Sequence, residues 1–157
     1  MSNISRIAFE FWSGIGNVET LEKWAEAELK KENPHPDACD LFGLVEAEAE
    51  RISLVLAEEI EGFTPVSEQG EIWAKEILAN FCEMVLSEKI SPNKFCYLVQ
   101  CYDANFLGLR ENAVGELEYP VWLGDLWNAC DWCDESWSIS NSPHLKQEIE
   151  KVLNAKT

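Results

Sequence analysis

Two cysteines, Cys130 and Cys133, have the Cys-x-x-Cys spacing that forms one half of a zinc-binding or redox motif. No second close pair follows, and the nearest histidine along the chain is His144. Cys96 and Cys101 are five residues apart, which is not a standard spacing for metal ligands. The pattern therefore favours buried, unreactive thiols, and we predict neither a metal ion nor a cofactor.

Nucleophilic catalysis has few candidates in this chain, because a Cys or Ser nucleophile needs a positioned histidine. His35 lies between two prolines and His144 follows one, which predicts ordinary surface residues. The glycines form neither a phosphate-binding loop nor a dinucleotide fingerprint. We therefore predict a protein without catalytic residues that is not an enzyme, and an enzyme with an unrecognised site is the less favoured alternative.

Residues 111–145 have an unusual composition: seven acids and four tryptophans, with no Lys or Arg. The tryptophans recur every five residues, at 122, 127, 132 and 137. Five residues turn an α-helix by about 140°, so these rings cannot share one face of a helix. A structural repeat is therefore not the explanation of the spacing.

A helical wheel over this segment separates its side chains into a core stripe and two edges. The core stripe is formed by Trp122, Leu126, Ala129, Cys130 and Cys133. Trp127 falls beside it near Asp131 and Asp134, and Trp132 falls on the other side near Asp125. The two boundary rings either cover the edge of the core or form an interface, where aromatic residues supply binding energy and acids pair with Arg or Lys.

Helical patterns dominate the remainder of the chain, and Pro, Gly and Asn separate them. Strand signals are weak, since no Asn-Gly or Asp-Gly turn occurs. The sequence predicts an all-α fold, a bundle or irregular array of about six to seven helices in a single acidic domain over 1–157. The predicted segments are 5–12, 18–29, 37–60 with Gly43 as a potential break, 67–87, 92–104, 120–134 and 143–153, with 106–119 as a loop.

The net charge is −17, from 29 acids against 12 bases, while 46% of the residues are hydrophobic. That apolar content excludes a disordered acidic tail. The negative charge repels phosphate backbones and anionic membranes, so we expect neither direct nucleic-acid binding nor membrane binding. The charge attracts basic proteins and accelerates encounter with them, although an acidic surface that only maintains solubility is the alternative.

The cellular compartment is predicted from the N-terminus and the apolar runs. Residues 1–6 carry one base and no long apolar stretch follows, so a secretory signal is not expected. No run of 18 apolar residues is present to cross a membrane. These features predict a cytoplasmic protein, and its six cysteines are expected to be free thiols rather than three disulfides.

One part of the chain resembles a known class of proteins. From Phe9 to Leu44 it reads FEFWSGIGNVETLEKWAEAEL, and then NPHPDACDLFGL after three residues. A glycine turn, a helix with a Trp-Ala pair, a proline break and another helix follow one another. This order resembles small acidic bacterial proteins, among them immunity proteins of contact-dependent and other polymorphic toxin systems. The resemblance covers about a quarter of the chain and implies a protein that binds a cognate toxin and contributes no catalytic residues.

Charge and resemblance together predict a toxin-neutralising, antitoxin-like binding protein whose partner is a basic protein. The alternative is an acidic mimic of nucleic acid, or an adaptor, that binds basic DNA-binding proteins. The predicted contact residues are Asp125, Trp127, Asp131, Trp132 and Asp134. The acidic helix around Glu46, Glu50 and Glu58 is the second candidate surface.

Overall fold

The computed structural model describes residues 4–59, 67–105, 114–115 and 121–155. These residues form seven α-helices and one 3₁₀ helix, and no strand occurs among them. The all-α prediction is therefore confirmed. The elements are α1 (Ile4–Trp12), α2 (Val18–Leu29), the 3₁₀ helix (Pro36–Leu41), α3 (Glu46–Glu58), α4 (Glu68–Leu86), α5 (Pro92–Asn105), α6 (Val121–Ala129) and α7 (Pro143–Ala155).

The chain divides into two compact units, residues 1–65 and residues 66–157. The prediction of a single domain over the whole chain stays a prediction. Within the described residues, no helix is both long enough and apolar enough to cross a membrane.

The first unit begins with two helices joined by a tight glycine turn. The backbone N–H and the hydroxyl of Ser13 both donate to the carbonyl of Phe9, which ends α1. A Cβ atom on Gly16 would lie 2.3 Å from the ring of Phe11, so only glycine fits at this position of the turn. The side chain of Asn17 then accepts from the backbone N–H of Glu19 and caps α2, as its sequence predicts.

The helix predicted over 37–60 is broken at Gly43, the position predicted as a potential break, and the part before Gly43 is not α-helical. Residues 36–41 form a 3₁₀ helix, and Gly43 follows with φ +72°, a left-handed conformation that an α-helix does not contain. The α-helix starts only at Glu46. In the core of this unit, α1 packs mainly on α3 and α2 packs on the 3₁₀ helix, through Ile4, Ile7, Phe11, Leu21, Trp24, Ala25, Leu41, Ala49 and Leu56.

The second unit is a closed ring of four helices. Helix α4 contacts α5 and α7, and α6 contacts the same two helices from the other side. Ser67 accepts from the backbone N–H of Gly70 and caps α4, while Pro92 and Pro143 occupy the first positions of α5 and α7. The interior is apolar and contains Ile77, Leu78, Phe95, Leu98, Leu123, Leu126, Leu145 and Ile149.

Helix α6 is shorter than its sequence pattern predicts, ending at Ala129 rather than near Asp134. Trp132 has φ +68°, which turns the chain out of the helical path. The core stripe that the helical wheel predicts is therefore correct for Leu126, Ala129 and Cys130, which are buried. The wheel does not apply to residues beyond Cys130. The predicted loop over 106–119 lies outside the described residues, apart from 114–115.

Candidate functional site

Trp132 lies at the turn that follows α6, and its side chain is 87% exposed. The sequence places this ring at the boundary between core and solvent, and that expectation is wrong. Because α6 has already ended, the ring points away from the core rather than along the edge of a helix. A large aromatic side chain with this exposure is unusual on a folded domain.

The turn itself is held by local hydrogen bonds. The backbone N–H of Cys133 donates to the carbonyl of Cys130 at 3.0 Å, which closes the turn around Trp132. Downstream, Oδ1 of Asp134 accepts from the backbone N–H of Ser136 at 2.7 Å and also from its hydroxyl. Asn141 then accepts from the N–H of Ser138 and donates to the carbonyl of Ser136. The segment without regular structure thus has a defined conformation.

Three of the predicted contact residues meet at one place. Trp127, Asp131 and Trp132 line a small hollow of about 70 Å³, together with Val99, Gln100, Cys130 and Cys133. Trp127 is 36% exposed, which agrees with its predicted place at the boundary. Asp131 is exposed and lines the same hollow, so an acidic residue adjoins the two tryptophans.

Helix α5 extends this surface. Gln100 also lines a neighbouring, wider depression with Ser91, Asn93, Lys94, Cys96 and Tyr97, and Tyr97 is 59% exposed. We call the group formed by Tyr97, Gln100, Trp127, Asp131 and Trp132 the aromatic surface. Tyr97 and Gln100 were not predicted, although both lie off the buried stripe of α5 that Phe95, Leu98, Val99 and Tyr102 form, and this signal could have identified them.

Two of the predicted contact residues, Asp134 and Asp125, interact with groups outside the hollow. Asp134 is exposed, but its carboxylate binds Ser136, and these hydrogen bonds lower its pKa. The pKa of Lys151 on α7 is raised mainly by its hydrogen bond to Glu148, and Asp125 contributes to the same shift. Asp125 therefore lies close enough to Lys151 for their charges to interact, and it is not among the residues that line the hollow.

The second candidate surface lies on α3 in the first unit. Glu46, Glu50 and Glu58 are all exposed there, as predicted. Val45, which immediately precedes the helix, and Val55 within it are also exposed. This surface carries several acids and no aromatic side chain, so it offers charge but little area for an anchoring contact.

Three thiols meet beneath the aromatic surface. The hydrogen bond with Cys130, together with burial, raises the pKa of the Cys96 thiol, which also contacts Cys133. Burial raises the pKa of Cys133 from 9.0 to about 12 and that of Cys82 to about 12. These groups stay protonated near neutral pH and are poor nucleophiles, and all six cysteines are free thiols.

A different set of groups meets in the first unit. His35, Asp37 and Glu59 each place one potential metal-ligand atom within 4.8 Å of the others. No sequence motif marks this set, because Glu59 is 24 residues from His35 and is brought to it by the fold. The prediction of an ordinary exposed histidine at 35 is wrong, since the side chain is half-buried and hydrogen-bonded.

Comparisons of the chain with protein-family models, with curated proteins and with solved structures find no match.

Proposed function

We propose that this protein binds a basic partner protein and neutralises it, in the manner of an immunity protein, and that the aromatic surface is its contact site. The observation that carries the proposal is the combination of exposure and backbone conformation at Trp132, which is 87% exposed with φ +68°.

The backbone at Trp132 is costly. A residue other than glycine in the left-handed region loses roughly 1–2 kcal/mol relative to a right-handed one. The ring recovers none of this by burial, because most of its surface meets water. Strain of this kind is concentrated at functional positions. A partner that covers the indole would bury the apolar area that the free protein leaves in water.

The neighbours of Trp132 match the composition of a binding hot spot. Tryptophan, tyrosine and arginine dominate such sites, and the aromatic surface contains two tryptophans and a tyrosine. The hydrogen bonds of the segment that follows hold its backbone in a defined conformation before a partner arrives, so less backbone entropy is lost on binding.

The charge of this surface favours a basic partner. Asp131 lines the same hollow as both tryptophans, and the chain between 111 and 145 contains no Lys or Arg, although Lys94 lines the adjoining depression with Tyr97 and Gln100. An arginine from a partner would stack on an indole face and pair with the carboxylate in one contact. The net charge of −17 would accelerate the encounter.

The resemblance of residues 9–44 to immunity proteins suggests the kind of partner. Toxin domains that cut nucleic acid are basic where they hold phosphate, and an acidic surface with aromatic anchors is suited to cover or lock such a domain. The first partner to test is the protein encoded by the neighbouring upstream gene, purified as its basic domain.

The test measures the dissociation constant of that partner with Trp132→Ala and with a matched control. Loss of a hot-spot ring costs about 2 kcal/mol or more, so we expect affinity to fall about thirtyfold or further. Phe42→Ala is the control, because Phe42 is an exposed aromatic residue of the first unit, 45% exposed, outside the aromatic surface. We expect its affinity to stay within about twofold of the unmodified protein.

Equal affinities of the two variants would remove the aromatic surface from the contact. A soluble, folded neighbour that shows no binding to the unmodified protein would contradict the proposed partner.

The second candidate is a mimic of nucleic acid, which the exposed carboxylates Glu46, Glu50 and Glu58 on α3 favour. Residues 46 and 50 are one helical turn apart and face the same side, so a row of negative charge faces solvent. A mimic displaces DNA from many unrelated basic proteins, whereas an immunity protein binds one partner tightly. Competition of labelled DNA from a panel of basic DNA-binding proteins separates the two functions.

A further inference from the structure

We propose that His35, Asp37 and Glu59 bind one divalent transition-metal ion, with zinc(II) as the best fit. Nε2 of His35 lies 2.9 Å from Oε2 of Glu59, and Nδ1 lies 3.9 Å from Oδ2 of Asp37. One ligand atom from each side chain falls within 4.8 Å of the others, so the side chains must close by about 1 Å to share one tetrahedral ion. This inference does not depend on the proposed partner.

The histidine is held in place before any ion arrives. Its backbone N–H donates to Oε1 of Glu28 at 3.2 Å, and prolines flank it on both sides. Its ring lies against Trp24, with ring centres 6.2 Å apart. A ligand with few accessible rotamers loses little entropy when it binds, which favours coordination.

The two carboxylates come from different parts of the fold. Asp37 stands at the start of the 3₁₀ helix, and Glu59 directly follows the last residue of α3. The fold therefore brings two negative groups to one imidazole, and because they lie at its two nitrogen edges, the Asp37 carboxylate must move towards Nε2 for both to bind the same ion. With a neutral ring their combined charge is −2, and a divalent cation balances it.

The chemistry of the set selects the class of ion. Calcium and magnesium prefer ligand sets made of oxygen alone. One imidazole nitrogen with two carboxylates suits zinc, nickel or copper, and three protein ligands leave a further position for water or for a group from another molecule.

The affinity is limited by a hydrogen bond that already exists. Nδ1 of His35 accepts from the backbone N–H of Asp37 at 3.2 Å, so the neutral ring carries its hydrogen on Nε2 and donates it to Glu59. An ion must replace part of this arrangement, and we therefore expect a dissociation constant on the order of micromolar rather than nanomolar.

The experiment is calorimetric titration of the full chain with zinc chloride in a buffer free of chelators, under reducing conditions. We expect one ion per chain, with affinity reduced at least tenfold in His35→Ala and also reduced in Glu59→Gln, which preserves the shape of the side chain. Circular dichroism of both variants checks that the helices persist.

The chain supplies a matched control in its other histidine. His144 lies 3.9 Å from a single carboxylate, that of Glu148, and Lys151 binds the same carboxylate at 2.8 Å. We expect His144→Ala to bind zinc as tightly as the unmodified protein. Loss of binding in His144→Ala but not in His35→Ala would overturn the proposal.

The thiols of Cys96, Cys130 and Cys133 are the competing site, so Cys133→Ser is titrated in parallel. Binding that survives this change and is lost in His35→Ala supports the histidine site. Binding that disappears in Cys133→Ser and persists in His35→Ala would place the ion on sulfur and overturn the proposal, as would an unmodified protein that binds no ion.

Discussion

The acidic residues of α2 and those of the turn after α6 differ in how their charge is balanced. On α2, Glu19, Glu26 and Glu28 each bind a lysine of the same helix or the residues just after it, at 2.9, 3.0 and 2.6 Å. The turn after α6 lies in a stretch with no Lys or Arg, and Asp131 lines a hollow there with two tryptophans. The acidic residues of the two regions therefore differ in their availability. Lysines neutralise those on α2, whereas the negative charge around Trp132 is available to a partner.

The largest expected effect concerns the thiol of Cys133, in the turn that follows α6. Burial, together with the hydrogen bond to Cys96, raises the pKa of Cys133 to about 12, which lowers its thiolate fraction at neutral pH. Cys39 in the first unit is exposed. We expect iodoacetamide to label Cys39 first and Cys133 at least about tenfold more slowly, as measured by peptide mass spectrometry. Rapid labelling of Cys133 would show that its thiol is not held against Cys96.

The second effect separates function from stability at Trp132. Glycine adopts positive φ without strain, so Trp132→Gly should stabilise the fold, by about 1 kcal/mol, while it removes the proposed anchor. Trp127→Gly is the matched control, because glycine inside α6 destabilises by about 1 kcal/mol before the lost packing is counted. Urea denaturation measures both changes. A destabilised Trp132→Gly protein would contradict a strained residue retained for binding.

The third effect compares the two kinds of acid directly. Asp131→Asn removes a carboxylate beside the indoles, and Glu26→Gln removes one that Lys30 already neutralises. We expect the association rate with a basic partner to fall about twofold to threefold in the first variant and to stay unchanged in the second. The difference should shrink in high salt, because screening weakens exposed charges. Stopped-flow fluorescence at two salt concentrations provides the measurement.

The smallest effect is a change in titration within the turn. Hydrogen bonds from Ser136 lower the pKa of Asp134, and Ser136→Ala should return that pKa towards its ordinary value. The stabilisation from a lowered carboxyl pKa is present above the unfolded-state pKa and is lost as the pH falls through the folded-state pKa. NMR titration of the Asp134 carboxyl in both proteins checks the direction. An unchanged pKa would indicate that the turn is held in another way.

The sequence predicts the helices well because their signals are local. Asn17, Ser67, Pro92 and Pro143 mark helix starts through their own side chains or rings, and the structure begins helices at those points. The end of α6 has no such marker. Ala129 and Cys130 continue the apolar period, and only the backbone at Trp132 shows that the helix has ended.

The candidate site could be predicted only in part for the same reason. Trp127 lies within α6, where the wheel applies, and the structure gives it the predicted boundary position. The helical wheel gave the wrong position for Trp132, because a wheel carries no information about residues beyond the end of a helix. The group of His35, Asp37 and Glu59 depends on a contact across 24 residues, and periodicity does not encode such contacts.

The most direct test of the central claim, that the aromatic surface holds the partner, is amide hydrogen exchange of the protein alone and in complex with the neighbouring gene's basic domain. The account predicts slower exchange in the complex over residues 127–137 and the exposed side of α5 near Tyr97, with no change along α2. Slower exchange confined to α3 around Glu46, Glu50 and Glu58 would contradict it and would place the partner on the acidic helix of the first unit.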